Sequence, residues 1–133
     1  MKPTTETPAT PRATFGRHER ITSPDDFRRA FDLKRSASDA FMVVYGAGNG
    51  LTYARLGLSV SRKKVRRATK RNRVKRLLRE AFRLSKTEIP AGLDLVIVPR
   101  GPNLTFEHAR RALPELARAV ARRLGHRPPR PAP

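Results

Sequence analysis

"KKVRRATKRNRVKRLLREAFR", Lys63 to Arg83, is the stretch on which the fold turns. Repulsion among its Lys and Arg side chains should be severe, and Glu80 is its single acid. Yet Val74, Leu77, Leu78, Ala81 and Phe82 recur at helical spacing. At 100° per residue the last four fall within about 80° of Val74, a stripe that can face a core. Asn72, Arg76, Arg79 and Arg83 gather on the far side, with Arg73 off one flank, while Arg71 and Lys75 stand on a shoulder at roughly 60° and 100°. The spacing predicts a helix over Thr69 to Ser85 with a dry face, a basic back and a basic shoulder.

Upstream, "SPDDFRRAF" starts a short helix. Ser23 suits the N-cap, Pro24 the first helical position, and Asp25 and Asp26 the positive helix end. Phe27, Ala30 and Phe31 follow at i, i+3 and i+4, and the helix should stop near Lys34. "AFMVVY" then alternates, with Phe41, Val43 and Tyr45 on one face and Met42 and Val44 on the other. Gly46, Gly48 and the Asn49-Gly50 pair mark a turn. "YARLGLSVS" returns with Ala54, Leu56, Leu58 and Val60 on one face, so an antiparallel hairpin is expected. Downstream, "LDLVIV" from Leu93 to Val98 reads as an apolar run and a buried strand. A last helix starts at the Thr105 cap and turns Ala109, Leu113, Leu116, Ala117, Val120 and Leu124 inward, with Pro114 expected to kink or interrupt it. The class is α+β, an α/β sandwich with helices packed on a small mixed sheet.

Prolines and threonines dominate residues 1–20, read as a disordered arm, and "GHRPPRPAP" from Gly125 reads as an extended Pro-rich tail, 125–133. The folded domain is then 21–124, enough for one core. Thirty Lys+Arg against eleven Asp+Glu give the 133-residue chain a formal charge of +19. Such self-repulsion weakens a compact state unless a polyanion relieves it. With no cysteine there is no disulfide, thiolate nucleophile or Cys-based zinc site. No apolar run approaches a membrane span and no secretory signal is seen. A cytoplasmic protein is expected, with neither membrane nor obligate protein partner.

A solvated helix face mixes signs so that i,i+4 pairs help, whereas these pairs repel. The preceding loop adds Arg62, Lys63, Lys64, Arg66, Arg67 and Lys70 with no acid. A phosphate backbone suits such a surface, and neutralising it releases counterions and makes binding salt-sensitive. Side chains that read DNA base edges are scarce, Asn72 being the one candidate. Phe27, Phe31, Phe41 and Tyr45 could instead pave a trough beside Arg71 and Lys75 for an extended single strand.

"GLSVSRK…ATKRNRVKRLLREAF", Gly57 to Phe82, closely resembles the protein subunit of bacterial ribonuclease P, with its Arg-Asn-Arg signature at Arg71-Asn72-Arg73. The likeness extends to "DDFRRAF" and "DLVIVPRG". Arg66 departs from it, standing where the family usually has Gly. The resemblance implies the order αβββαβα, a short extra strand near Arg35 to Ala37, and a left-handed crossover around the basic helix. It implies that the chain binds a catalytic RNA and the 5′ leader of precursor tRNA and assists removal of that leader. Phe27, Phe31, Tyr45, Arg71 and Lys75 then match the leader cleft. Lys63, Lys64, Arg67, Asn72, Arg73, Arg76 and Arg79 match the face that docks on the catalytic RNA.

No catalytic group is expected in the protein itself. Its acids are dispersed, and His18, His108 and His126 read as solvent-exposed side chains. Mg²⁺ is expected to be bound mainly by the RNA. The alternative is a structural RNA-binding protein of ribosomal type with no enzyme attached.

Overall fold

The computed structural model describes residues 15–127; residues 1–14 and 128–133, most of the expected arm and tail, lie outside the described residues. A 3-10 turn at Arg17–Glu19 precedes α1 (Pro24–Asp32), β1 (Ser36–Ser38), β2 (Met42–Gly48), β3 (Arg55–Leu58) and α2 (Ala68–Ser85). A second 3-10 turn at Lys86–Glu88 leads to β4 (Leu93–Pro99) and α3 (Phe106–Leu124). The order is αβββαβα, and β1 is the short strand that the resemblance implies.

The caps behave as their residue types dictate. Ser23 Oγ accepts from the Asp25 amide at 3.2 Å, Thr105 Oγ1 accepts from the His108 amide at 3.2 Å, and Gly125 closes α3 at φ +63°. Pro114 does not interrupt α3, which runs unbroken from Phe106 to Leu124. An interior proline costs roughly 3 kcal/mol, and burial of Leu113, Pro114, Ala117 and Val120 on the packed face outweighs it.

The expected hairpin is not formed. Strand order is β1-β2-β4-β3, so β4 lies between the two strands that the turn connects. It runs antiparallel to β2, with Tyr45 opposite Val96, and parallel to β3, with Leu56 opposite Leu95. The Asn49-Gly50 turn itself is present, with Gly50 at φ +71° and the Leu51 amide donating to Asn49 Oδ1 at 2.8 Å. But Asn49 is tied to the inserted strand, its amide to Gly92 O at 2.9 Å and its Nδ2 to Asp94 Oδ1 at 3.0 Å. Gly46, expected in the turn, is inside β2: a Cβ there would lie 2.4 Å from Val120 Cγ1, so only glycine lets α3 pack this close.

Alternation along the strands builds two faces. Met42, Val44, Leu56, Leu93, Leu95 and Ile97 meet Val74, Leu78, Ala81 and Phe82 of α2 and Leu113, Ala117 and Val120 of α3 in the main core. On the opposite face Tyr45, Val96 and Gly57 stand in one row across the sheet. That row is covered by Phe27, Ala30 and Phe31 of α1. The apolar reading of "LDLVIV" misses Asp94, which is fully buried and paired with Arg55 at 2.6 Å and Arg29 at 3.2 Å.

Structure also begins before residue 21. Phe15 meets Phe82 edge-on at 5.5 Å, the Arg20 guanidinium lies 5.0 Å over Phe15, and buried Glu19 pairs with Lys86 at 2.5 Å. Arg20 bridges to Leu56, extending the sheet past β3. Phe15 to Arg20 therefore belong to the fold rather than to the arm.

Candidate nucleic-acid interface

The loop before α2 is held from within. Val65 is buried, its amide donates to Ser61 O at 3.0 Å, and the Lys64 amide donates to Ser61 Oγ at 3.1 Å. Arg71 folds back as a brace, Nη1 donating to Val65 O at 3.0 Å and to Arg66 O at 2.9 Å. The brace leaves Lys63, Lys64, Arg66 and Arg67 exposed around a fixed turn. Arg67 caps α2 without a side-chain bond, and the first helical turn has no acid. Cations crowd the positive end of a helix, where the dipole favours anions.

Along α2, Lys75 and Arg79 stand one turn apart and line a groove of about 220 Å³ at the β3 edge. Phe27 and Gly57 form its other wall. A Cβ on Gly57 would lie 2.8 Å from Phe27 Cζ, so the glycine lets the ring approach the strand this closely. The same Lys75 and Arg79, with Asn72 and Arg76, face Phe15 and Arg20 across a larger concavity of about 530 Å³. Its one acid, Glu80, is engaged by Arg83. Burial, and then the nearby Arg20 charge, hold the Arg79 pKa below the usual guanidinium range. Among the described residues neither Arg76 nor Arg79 has an acidic partner.

The sequence grouping of α2 is thus redistributed. Lys75 and Arg79 face one groove, although the wheel put Lys75 on the shoulder with Arg71 and Arg79 on the back. The reason is tertiary, because the segment through Arg20 adds to the sheet edge beneath this side of the helix. Arg73 lies on the other flank, Nη1 donating to Pro102 O at 3.4 Å, and with Arg76, Leu77 and Phe106 lines a second groove of about 520 Å³. Phe31 and Tyr45 meet edge-on at 4.9 Å in the cluster under α1, next to Phe27. Phe27 alone of the three rings borders the Lys75–Arg79 groove described above. Arg20 and Phe15 were missed by sequence reasoning; the lone aromatic in the arm was the one available signal.

Two histidines expected in solvent are engaged. His108 Nε2 lies 2.7 Å from Asp39 Oδ2 and its ring centroid 4.5 Å from that of Phe41, while His126 Nε2 lies 2.8 Å from Ala91 O. His18 is exposed, edge-on to Tyr53 at 5.1 Å. Among the described residues no three His, Asp or Glu side chains converge into a metal cage, and Asp94, Glu19 and Glu88 are committed to cations. Among the described residues these acids therefore offer no ready set of ligands for Mg²⁺.

Fold and flank define a class: small α+β proteins in which a cationic helix lies along a sheet edge. A family model for ribonuclease P matches residues 15–122. The ribonuclease P protein component of Methylococcus capsulatus is 42% identical over 95 residues, covering 71% of this chain and 73% of the relative. That of Thermotoga petrophila is 45% identical over 87 residues, 65% and 74% of the two chains. The solved RNase P protein from Thermotoga maritima matches with a TM-score of 0.66 at 37% identity, over 75% of this chain and 96% of that one. A Staphylococcus aureus RNase P protein mutant matches with a TM-score of 0.67 at 30% identity, over 76% and 86%. The chain belongs to the ribonuclease P protein family.

Proposed function

We propose that this chain, whose family gives it a part in ribonuclease P and so in tRNA processing, binds the catalytic RNA and the 5′ leader of precursor tRNA and assists cleavage without supplying a catalytic group. The observation that carries this is the Arg20–Arg79 concavity, where the half-buried Arg79 faces the Arg20 charge and the one acid in the lining, Glu80, is already engaged by Arg83. A protein tolerates that arrangement when an outside anion completes it. The leader enters between α1 and α2, its phosphates at Lys75 and Arg79 and a base against Phe27, with Phe31 and Tyr45 fixing that ring from behind. Arg71 supports this cleft through the loop it braces. Lys63, Lys64, Arg67, Asn72, Arg73 and Arg76 meet the catalytic RNA, and Arg79 serves both. Mg²⁺ is held by the RNA, and the complex works in the cytoplasm; no helix among the described residues is long and apolar enough to cross a membrane.

Interactions with the leader add binding energy that the mature product lacks, so substrate and product are told apart. Lys75→Ala should weaken binding of precursor tRNA to the reconstituted complex about tenfold, the scale of a single charged interaction, and Tyr45→Ala should weaken it by less, through the support it gives the aromatic cluster under α1. Mature tRNA binding should hold. Equal losses for both RNAs would refute leader reading. A protein of ribosomal type would instead co-purify with ribosomal RNA and leave precursor cleavage at low Mg²⁺ unchanged.

A further inference from the structure

The parallel β3 and β4 end on the same side of the sheet, where β2 begins, Met42 opposite Pro99. The basic loop after β3, the Arg100–Thr105 loop after β4 and the Asp39–Phe41 turn therefore share one end of the molecule. Arg73 ties α2 to this end through Pro102 O. Here Phe41 remains 39% exposed, although apolar rings of its size are normally covered. It borders a concavity of about 200 Å³ whose other walls are Ala40, Arg100, Gly101 and Asn103.

The ring is held rather than loose. Asp39 Oδ1 accepts from the Phe41 and Met42 amides at 2.8 and 3.0 Å, and Arg100 Nε donates to Asp39 O at 2.9 Å. The Arg100 amide donates to Phe41 O at 2.8 Å, and His108 supports the ring at 4.5 Å. The Asp39 carboxylate is spent on those amides and on His108. A fixed aromatic face, a guanidinium and an amide side chain are the means by which proteins hold one unpaired base, by stacking and by hydrogen bonds to its edge.

We propose that the Phe41–Arg100 pocket takes one unpaired RNA base, at a site whose lining shares no residue with the Lys75–Arg79 groove. The proposal rests on RNA being the partner of the basic loop, which would carry the neighbouring phosphates, but not on leader recognition. The chain contains no tryptophan, so Phe41→Trp places a single fluorescent reporter in the pocket of the full chain. Titration with a short oligouridylate or oligoadenylate should quench it, and an abasic oligomer of the same length should not. Arg100→Ala in that background should weaken the quenching titration about fivefold, and Phe41→Ala in the natural chain should weaken oligomer binding about tenfold, the scale of one base stack. Lys75→Ala with Arg79→Ala, made in the Phe41→Trp background, should leave the quenching in place even if leader recognition proves wrong. Equal quenching by the abasic oligomer, or an oligomer that binds without quenching, would overturn the pocket.

Discussion

Asp94 has no exposed surface and sits on the central strand. Arg55, directly opposite in register, grips it with two nitrogens at 2.7 and 2.6 Å, and Asn49 and Arg29 take its remaining lone pairs. Hydrogen bonding to Asp94, offset by burial, holds the Arg55 pKa above its ordinary value. Removing one partner strands a buried charge at a cost of about 3–5 kcal/mol. Arg55→Leu should therefore lose that much in urea unfolding, and Arg55→Leu with Asp94→Leu should recover most of it. At Gly57, Ala would push Phe27 off β3, costing about 1–3 kcal/mol and weakening precursor tRNA binding in the same assay as Lys75→Ala. Asp39 titrates low: burial raises its pKa, but the Phe41 and Met42 amides and His108 outweigh it. Its stabilisation is present above the ordinary value of 3.8 and lost as pH falls below it. The stability gap between the natural chain and Asp39→Ala should accordingly be open at neutral pH and shrink below that value in acid titrations. None of these partners was legible beforehand, because Arg55 and Asp94 are remote in sequence and one acid among five apolar residues leaves the period of a strand intact.

Elements were easier to read than their neighbours. Caps at Ser23 and Thr105 and the stripe from Val74 to Phe82 depend on residues a few positions apart, and all three helices follow from them. Alternation likewise tells which side chains share a face, and both faces of β2 came out as read. It does not tell which strand lies alongside, and so the hairpin reading failed. The Asn49 side chain, spent on β4, decides that question through a hydrogen bond to a residue 45 positions away. The same limit applies to α2, where a wheel places charges around an axis but not against Arg20. Within α2 the charges should separate by assay. Arg76→Ala with Arg79→Ala should flatten the salt dependence of catalytic-RNA binding by about two units of slope, near one for each phosphate no longer neutralised. An unchanged slope in that titration would remove both from the interface. Arg71→Ala should instead speed amide exchange at Val65, since its guanidinium braces that loop.

At the scale of the molecule, thirty cations meet eleven acids, and the ion pairs described consume only part of the surplus. The free protein should gain thermal stability between about 20 mM and 500 mM salt as repulsion is screened. A melting temperature that falls over this range would show that the ion pairs, rather than the surplus, dominate. The sheet order also has a bearing on synthesis. The strand that both β2 and β3 need is translated after them, and after the most highly charged helix. While the ribosome is still making the first ninety residues, the two earlier strands share no neighbour and α2 lacks β4 and α3, the elements that complete its core. A nascent chain paused at Pro90 holds nearly all of its densest charge beside ribosomal RNA, with no template yet to give that charge a shape.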